Sequence, residues 1–362
     1  MHYLDHNATS PLRPEARAAM EDALAIAGNP SSVHGAGRAA RALIEDAREQ
    51  VAAIAGAKPE DVIFTSGGTE ANFTALRGAV EGARDSGQPV RRLFVSAIEH
   101  QSVLATAGSL AEQVPGLRVE SIPVSEKGRI ELAATTLKEG KGRALIAVMA
   151  ANNETGVVQP VEEIDDLLFV DAVQMPGVYE NAAYLSLSAH KLGGPQGVGA
   201  LIVRDGAPFA PQFRGGGQER GLRAGTENVI GIAGFGAAAS VWRSIAPTLR
   251  DRFEAGLPRC AVVFGKDVTR LGHTSCFALP GVPAETALMA LDLDGVMASS
   301  GSACSSGKVS PSHVLKAMGV DDGIARCALR VSFGWNSSEA DVDAALRSLS
   351  KLVERVRARE AA

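Results

Sequence analysis

Val62-Ile63-Phe64-Thr65-Ser66-Gly67-Gly68-Thr69-Glu70 decides how the rest of the chain is read. Four strand-forming residues run into a tight turn of small residues, and a helical pattern over 70–81 follows. Strand, turn and helix N-terminus in that order make a cradle for an anion. The first amides of a helix have no partner inside it, the macrodipole adds positive charge, and glycine lets the backbone come close. Alone the signal is weak, because many such turns bind nothing. Neither a Walker A loop nor a GxGxxG fingerprint is present, since Gly307-Lys308 is followed by Val309 where Ser or Thr is needed.

Outward from this unit the same alternation continues. Upstream, Leu43, Ile44, Ala47, Val51 and Ile54 recur at three-to-four spacing and predict a helix over 38–55, with Gly56 as its C-cap. Downstream, short apolar runs at 93–96, 144–150, 168–170, 184–188 and 198–203 read as buried strands, with a second helical pattern over 103–113. Strands alternating with helices predict an α/β fold whose largely parallel sheet is covered on both faces. Past about Ala246 the texture changes to Pro247, a charged stretch over 250–254, more short strands and a final helix over 338–359. We therefore expect a large domain over 16–245 and a smaller α+β domain over 246–362, which an arm over 1–15 joins. The last helix carries Ala345, Leu349, Leu352, Val353 and Val356 on one face, as a structural helix would.

The 362 residues are enough for two domains with a sizeable core. Thirty-six basic against 41 acidic residues leave a net charge of −5, so no basic excess points to nucleic acid or an anionic membrane surface. The longest apolar run, 144–151, is far short of a bilayer span, and no signal-peptide pattern opens the chain, so a cytoplasmic location is expected. The four cysteines, Cys260, Cys276, Cys304 and Cys327, form no CxxC pair and no disulfide framework, and read as reduced thiols. No metal site is expected.

Two strand ends carry chemistry. The run Phe169-Val170-Asp171 closes on a carboxylate and Leu185-Ser186-Leu187-Ser188-Ala189-His190-Lys191 closes on a lysine. Ligands of open α/β sheets bind beyond the carboxyl ends of strands, so the two can serve one group. Pyridoxal phosphate needs such a pair: an amine for a Schiff base and an acid that keeps the pyridine nitrogen protonated. A surface lysine beside a helix-capping aspartate is the plainer alternative.

Ser188-Ala189-His190-Lys191-Leu192-Gly193-Gly194-Pro195-Gln196-Gly197 resembles the cofactor-lysine segment of the cysteine desulfurases, pyridoxal-phosphate enzymes of the class V aminotransferase group. Ordered matches run the length of the chain: Tyr3-Leu4-Asp5-His6-Asn7-Ala8-Thr9, Gly28-Asn29-Pro30-Ser31-Ser32-Val33-His34, Thr65 to Glu70, Glu99-His100 and Asn152-Asn153-Glu154-Thr155-Gly156. Beyond the lysine come Gly215 to Gly221 with Arg223-Ala224-Gly225-Thr226, then Ser299-Ser300-Gly301-Ser302-Ala303-Cys304 and Leu329-Arg330-Val331-Ser332. The resemblance implies a mostly parallel sheet of the seven-stranded type sandwiched by helices, and an enzyme that turns L-cysteine into L-alanine. It implies that Lys191 forms the Schiff base, Asp171 pairs with the pyridinium nitrogen and Gln174 faces the phenolic oxygen. His100 would stack on the ring and act as an acid/base. Gly68, Thr69, Ser188 and His190 would hold the phosphate, with Thr226 reaching it from the partner subunit of a homodimer. Asn7, Asn153 and Arg330 would meet the substrate, with the guanidinium and Asn153 taking its carboxylate, and Asn153 also touching the cofactor.

Cys304 lies in a run of Ser, Gly and Ala over 299–307 that can bury little apolar area and is expected to be an exposed, mobile loop. In the family reading its thiolate takes the substrate's sulfur as a persulfide and passes it to an acceptor protein, such as an iron–sulfur scaffold. Cys260, Cys276 and Cys327 sit in or beside apolar runs and are expected to be buried. The rival readings are a class V aminotransferase or selenocysteine lyase with the same cofactor, and a non-catalytic scaffold of the same fold. Two stretches, 153–171 and 174–191, are shorter than the family pattern and leave little room for the helix that a parallel crossover generally carries.

Overall fold

Each strand of the central sheet sends neighbouring side chains to opposite faces, and the two sets meet different helices. The computed structural model describes residues 1–134, 143–300 and 312–360. After a short β1 (His2–Tyr3), the strands β2 (Val62–Thr65), β3 (Val90–Ser96), β4 (Arg118–Ile122), β5 (Arg143–Met149), β6 (Leu167–Asp171), β7 (Ala182–Ser188) and β8 (Gly199–Val203) form one sheet in the order β2-β8-β7-β6-β5-β3-β4. Pairing is parallel from β4 through β7, and β8 runs antiparallel to both β7 and β2. The helices α1 (Pro14–Leu24), α2 (Gly35–Ala55), α3 (Gly68–Asp85), α4 (Gln101–Gln113) and α5 (Val229–Val241) cover it.

Ile63, Leu145, Phe169, Tyr184 and Leu201 belong to one core cluster with Ala75, Leu76, Val103 and Leu110 of α3 and α4. The intervening Phe64, Ile146, Leu168, Leu185 and Ile202 belong to another with Ile44, Ala47, Ile232 and Phe235 of α2 and α5. Each large apolar side chain so buried contributes roughly 1.5–3 kcal/mol, and shifting any strand by one residue would exchange the two sets. His34 caps α2 by accepting from Gly37 N, and Gly56 ends it in the left-handed region at φ 56°. On α5, a Cβ at Gly236 would meet Cα of Ala47 at 2.6 Å, so glycine there lets two helices come into close contact.

Two crossovers depart from the usual pattern. Residues 150–166 between β5 and β6 contain only a single turn of tight helix, Val161–Glu163, and residues 172–181 between β6 and β7 contain no helix at all. Side chains do the covering instead. Tyr179 is buried, donating its hydroxyl to Met175 O at 2.7 Å, and Asn181 Nδ2 donates to the carbonyls of Val161 and Ile164, both at 2.8 Å. The second connector is thus fastened to the first, and the parallel register survives: Leu145 stands opposite Leu167 and Phe169 opposite Tyr184.

The rest of the chain builds α6 (Thr248–Gly256), β9 (Val262–Val263), β10 (Thr274–Ala278), α7 (Ala284–Leu293), β11 (Val296–Met297), α8 (His313–Ala317), α9 (Asp322–Ala325), β12 (Ala328–Ser332) and α10 (Glu339–Glu360). β12, β10 and β9 form an antiparallel sheet in that order. A third core cluster unites Phe253, Phe277, Leu291, Val331, Phe333 and Leu349 with Leu4. β1 pairs parallel with β11, His2 opposite Val296. The apolar face of α10 is buried through Ala345, Leu349, Leu352 and Val353, as a structural helix requires. Cys276 and Cys327 are buried, but Cys260 is only partly covered, because it lies in the turn that leads into β9. No helix of the described residues is long and apolar enough to cross a membrane.

Candidate active site

The carboxyl ends of β5, β6 and β7 lie in register, with Met149 opposite Asp171 and Asp171 opposite Ser186. A cavity of about 410 Å³ opens at these ends. Asp171 is 6% exposed, and its carboxylate accepts Asn72 Nδ2 at 2.8 Å and the amide of Val173 at 3.1 Å. β7 runs on into a single turn of tight helix, Ala189–Lys191, that brings His190 and Lys191 to the rim. Lys191 Nζ donates to the carbonyls of Asn7 at 2.5 Å and Ala8 at 2.8 Å.

The anion cradle lies beside the lysine because β8 separates β2 from β7. Gly199 stands opposite both Thr65 and Ser188. A Cβ there would meet the backbone of Gly67 and of Leu187 at 2.7 Å, so the turn reaches the end of β7 only across a glycine. No side chain caps the eighteen-residue α3, which leaves its first amides open to an anion. Ser188 Oγ is buried without a partner, and a Cβ on Gly68 would stand 3.0 Å from Val173 and 3.5 Å from Ser188. Glu70 holds the turn from behind, accepting Ser66 N at 2.8 Å and Arg223 at 2.9 and 3.2 Å. Burial, and after it the charge of Lys191, pushes the His190 imidazole down to about 4. It is neutral at physiological pH, and its Nδ1 lies 3.2 Å from Thr9 Oγ1.

The opposite wall comes from the β12 side. Arg330 Nη2 donates to Asp5 Oδ1 at 2.6 Å and Nη1 to Asn153 O at 3.1 Å, while Nε is buried with no partner. Gln174 Nε2 donates to Asn7 O at 3.0 Å. The side chain of Asn7 is spent on structure, donating to Asn153 O and Thr274 Oγ1. What Asn7 gives the lysine and the glutamine is therefore its carbonyl. His100 lies 2.8 Å from Ser102 Oγ through Nδ1, and burial lowers its pKa, with Asp171 pulling the other way.

Gly68, Thr69, His100, Asn153, Asp171, Gln174, Ser188, His190, Lys191, Arg330 and Asn7, all singled out from the sequence, line this one cavity. Thr226 does not: it is exposed and lines a separate pocket with Phe64 and Arg223. Cys304 lies outside the described residues. The run that carries it begins buried, contrary to the expected exposed loop, since Ser299 exchanges backbone hydrogen bonds with Arg330 at 3.1 and 2.6 Å, and Ser300 is buried beside it. Beyond the undescribed stretch, Ser312 Oγ donates to the buried Glu154 at 2.5 Å. Asp5 and Asn72 also line the cavity, although the sequence alone gives neither a role. Asp5 belongs to the Tyr3–Thr9 motif, and Asn72 is a polar residue on the buried face of α3, a position that favours apolar side chains.

The class V aminotransferase family model matches residues 2–345. The chain is 43% identical to a cysteine desulfurase of Cereibacter sphaeroides, over 98% of its length and 96% of the relative's. It is 39% identical to an IscS-like cysteine desulfurase of Mycobacterium tuberculosis, over 99% and 97%. Its fold is similar to that of a solved NifS-like protein with a TM-score of 0.88 at 33% identity, covering 98% of this chain and all of that one. A NifS-like protein from Rickettsia africae gives 0.85 at 30% identity, covering 98% and 99%. The alignment with the Cereibacter protein runs over 380 positions, more than the whole chain has, so that relative carries stretches missing here. With a matching family model over nearly its full length, the chain belongs to the class V aminotransferases, and within them to the cysteine desulfurases.

Proposed function

We propose that the enzyme converts L-cysteine to L-alanine with pyridoxal 5'-phosphate seated in this cavity, and that the sulfur leaves as a persulfide on Cys304. The observation that carries the reading is the convergence of Lys191, the buried Asp171 and the open amides of α3 on one cavity. The donor set fits the cofactor: the partnerless Ser188 hydroxyl and the close approach at Gly68 suit a phosphate, and the Asp171 carboxylate suits a protonated ring nitrogen. When bound, the cofactor supplies an electron sink for the carbon skeleton of the amino acid.

The chain's own residues do the rest. Lys191 anchors the cofactor and afterwards, as a free amine, moves the Cα proton of the substrate. Thr69, Ser188 and His190 hold the phosphate, the last as a neutral imidazole, and Gln174 faces the phenolic oxygen. Arg330, whose buried Nε lacks an acceptor, takes the substrate carboxylate together with Asn153. The thiolate of Cys304 attacks the sulfur of the substrate: an S–S bond forms as the C–S bond breaks, and alanine departs. We take the chain to act as a cytoplasmic homodimer, with a large domain over 16–245 and a small one over 246–362. Thr226, exposed and away from this cavity, would reach the phosphate of the partner subunit. The persulfide would then serve an acceptor protein, such as an iron–sulfur scaffold.

Incubation with L-cysteine, with alanine and protein-bound persulfide both measured, tests the proposal. Equimolar alanine and sulfur mapped to Cys304 are expected, and both signals should vanish in Lys191→Ala. Wild-type turnover by Cys304→Ala would overturn the assignment of the nucleophile.

A further inference from the structure

His100 is the N-cap of α4, a helix of thirteen residues. Its Nδ1 accepts the backbone N–H of Ser102 at 3.2 Å and lies 2.8 Å from Ser102 Oγ. The donors around it can be counted. Asn72 Nδ2 lies 2.8 Å from Asp171 Oδ2 and 3.0 Å from Ser102 Oγ. An amide NH2 has two hydrogens, so both are used, one on the carboxylate and one on the hydroxyl oxygen. Turning the amide over would set its oxygen against a carboxyl oxygen of Asp171, acceptor against acceptor, and leave Ser102 Oγ without that donor. The hydrogen of the Ser102 backbone N–H is fixed in direction and donates to Nδ1, so that nitrogen accepts, and the Ser102 hydroxyl 2.8 Å away can then only give its hydrogen to it. A backbone N–H and a hydroxyl thus both donate to Nδ1, and a nitrogen that accepts carries no proton.

We propose that His100 enters the reaction as a neutral imidazole with its proton on Nε2, so that it offers the cavity a hydrogen-bond donor and is not the base that takes a proton from the substrate. Asn72 and Ser102 are the positioning residues of this arrangement, and they tie the tautomer to the Asp171 carboxylate. This rests on the cavity being the site of cysteine turnover, and it leaves the Lys191 amine as the base. Protonating Nδ1 would break the helix cap and set a cation at the positive end of α4. The other groups acting on the ring are Asp171, which favours the charged form, and Lys191 and His313, which oppose it along with burial.

The test is a two-bond proton–nitrogen correlation spectrum of the holoenzyme labelled in its seven histidines, with His100→Gln used only to assign the signal. A neutral ring protonated on Nε2 across neutral pH is expected. A ring protonated on Nδ1, or on both nitrogens, would overturn the inference. In a second arm, Ser102→Ala should lower kcat by about three- to tenfold with KM unchanged and the tautomer kept by the backbone N–H, and Ser102→Thr should restore the rate. An unaltered kcat in Ser102→Ala would remove Ser102 as a positioning residue. The spectrum does not depend on turnover. Failure to release alanine from L-cysteine therefore refutes the activity, whereas the wrong tautomer in an active enzyme refutes this inference alone.

Discussion

Replacing Glu219 by Gln removes one charge from a pair that the fold has taken almost wholly out of water. Arg48 on α2 and Glu219 are 1% and 2% exposed. The carboxylate accepts Arg48 Nη1 at 2.9 Å and Nη2 at 2.8 Å, and Oε2 also accepts the amide of Phe64 on β2 at 2.9 Å. The guanidinium carbon lies 4.9 Å from the centre of the Phe64 ring, so little water can replace a lost partner. Removing one member of such a buried pair costs about 3–5 kcal/mol. Glu45, half exposed and 2.9 Å from Arg48 Nε, remains to offset part of that. The expected loss is about 2–4 kcal/mol. Glu219 and its neighbour Arg220 also sit at φ 45° and 58°, a left-handed pair that costs roughly 1–2 kcal/mol per residue and that Glu219's bonds hold in place. Urea titration of the holoenzyme should therefore show an earlier midpoint for Glu219→Gln with an unchanged m-value. The double replacement Arg48→Met with Glu219→Leu should recover most of the loss, since no charge is then left buried and alone. A single variant within about 1 kcal/mol of wild type, or a double variant less stable than the single, would refute the reasoning.

Three further outcomes follow from the same geometry. Burial raises the Glu99 carboxyl from 4.5 to about 8 in spite of bonds from Ser96 and Met149. The folded state then keeps a proton that the unfolded chain releases, and stability falls as pH rises from about 4.5 to about 8. Glu99→Gln should remove that slope, gaining up to about 5 kcal/mol over wild type above pH 8 in denaturant titrations. Arg330→Lys should raise KM for L-cysteine by about ten- to a hundredfold with kcat less affected, because it forfeits a charge-assisted fork worth about 1.5–3 kcal/mol. Asp171→Asn should lower kcat by about a hundred- to a thousandfold in a steady-state alanine assay, with a shift in the visible absorbance of the bound cofactor.

The parts of the fold legible in the sequence were those whose burial leaves a period. The β2 strand is found at the residues expected, and α2, α3 and α4 begin within three residues of their apolar patterns. α5 went unread because it is apolar on every side: wedged against α1 and α2, it has no polar face to set a rhythm. The edge strand β4, half exposed, opening on Arg118 and with Glu120 at its centre, hid for the opposite reason. In the site, Asp171 was legible because it ends β6, and Lys191 because it closes the short turn that follows β7. The bridge formed by Asn72 was not, since its partners lie 30 and 99 residues away and only the packing of α3 against the sheet brings them together. Nothing in the sequence singled out Gly199, whose importance appears once β8 is known to run antiparallel between β2 and β7.

Tyr179 and Asn181 do in this protein what a pair of helices would do elsewhere, and that makes the two connectors one mechanical unit. Cutting or lengthening either near that point loosens the stitch that Asn181 makes to Val161 and Ile164, while the Asp171 carboxylate lies at the other end of β6, held by Asn72 and by the amide of Val173. The first residues of both connectors, Asn153 and Gln174 among them, line the cavity, so a reporter segment is best grafted at the opposite end of the sheet, beside Asn181 and Ile164.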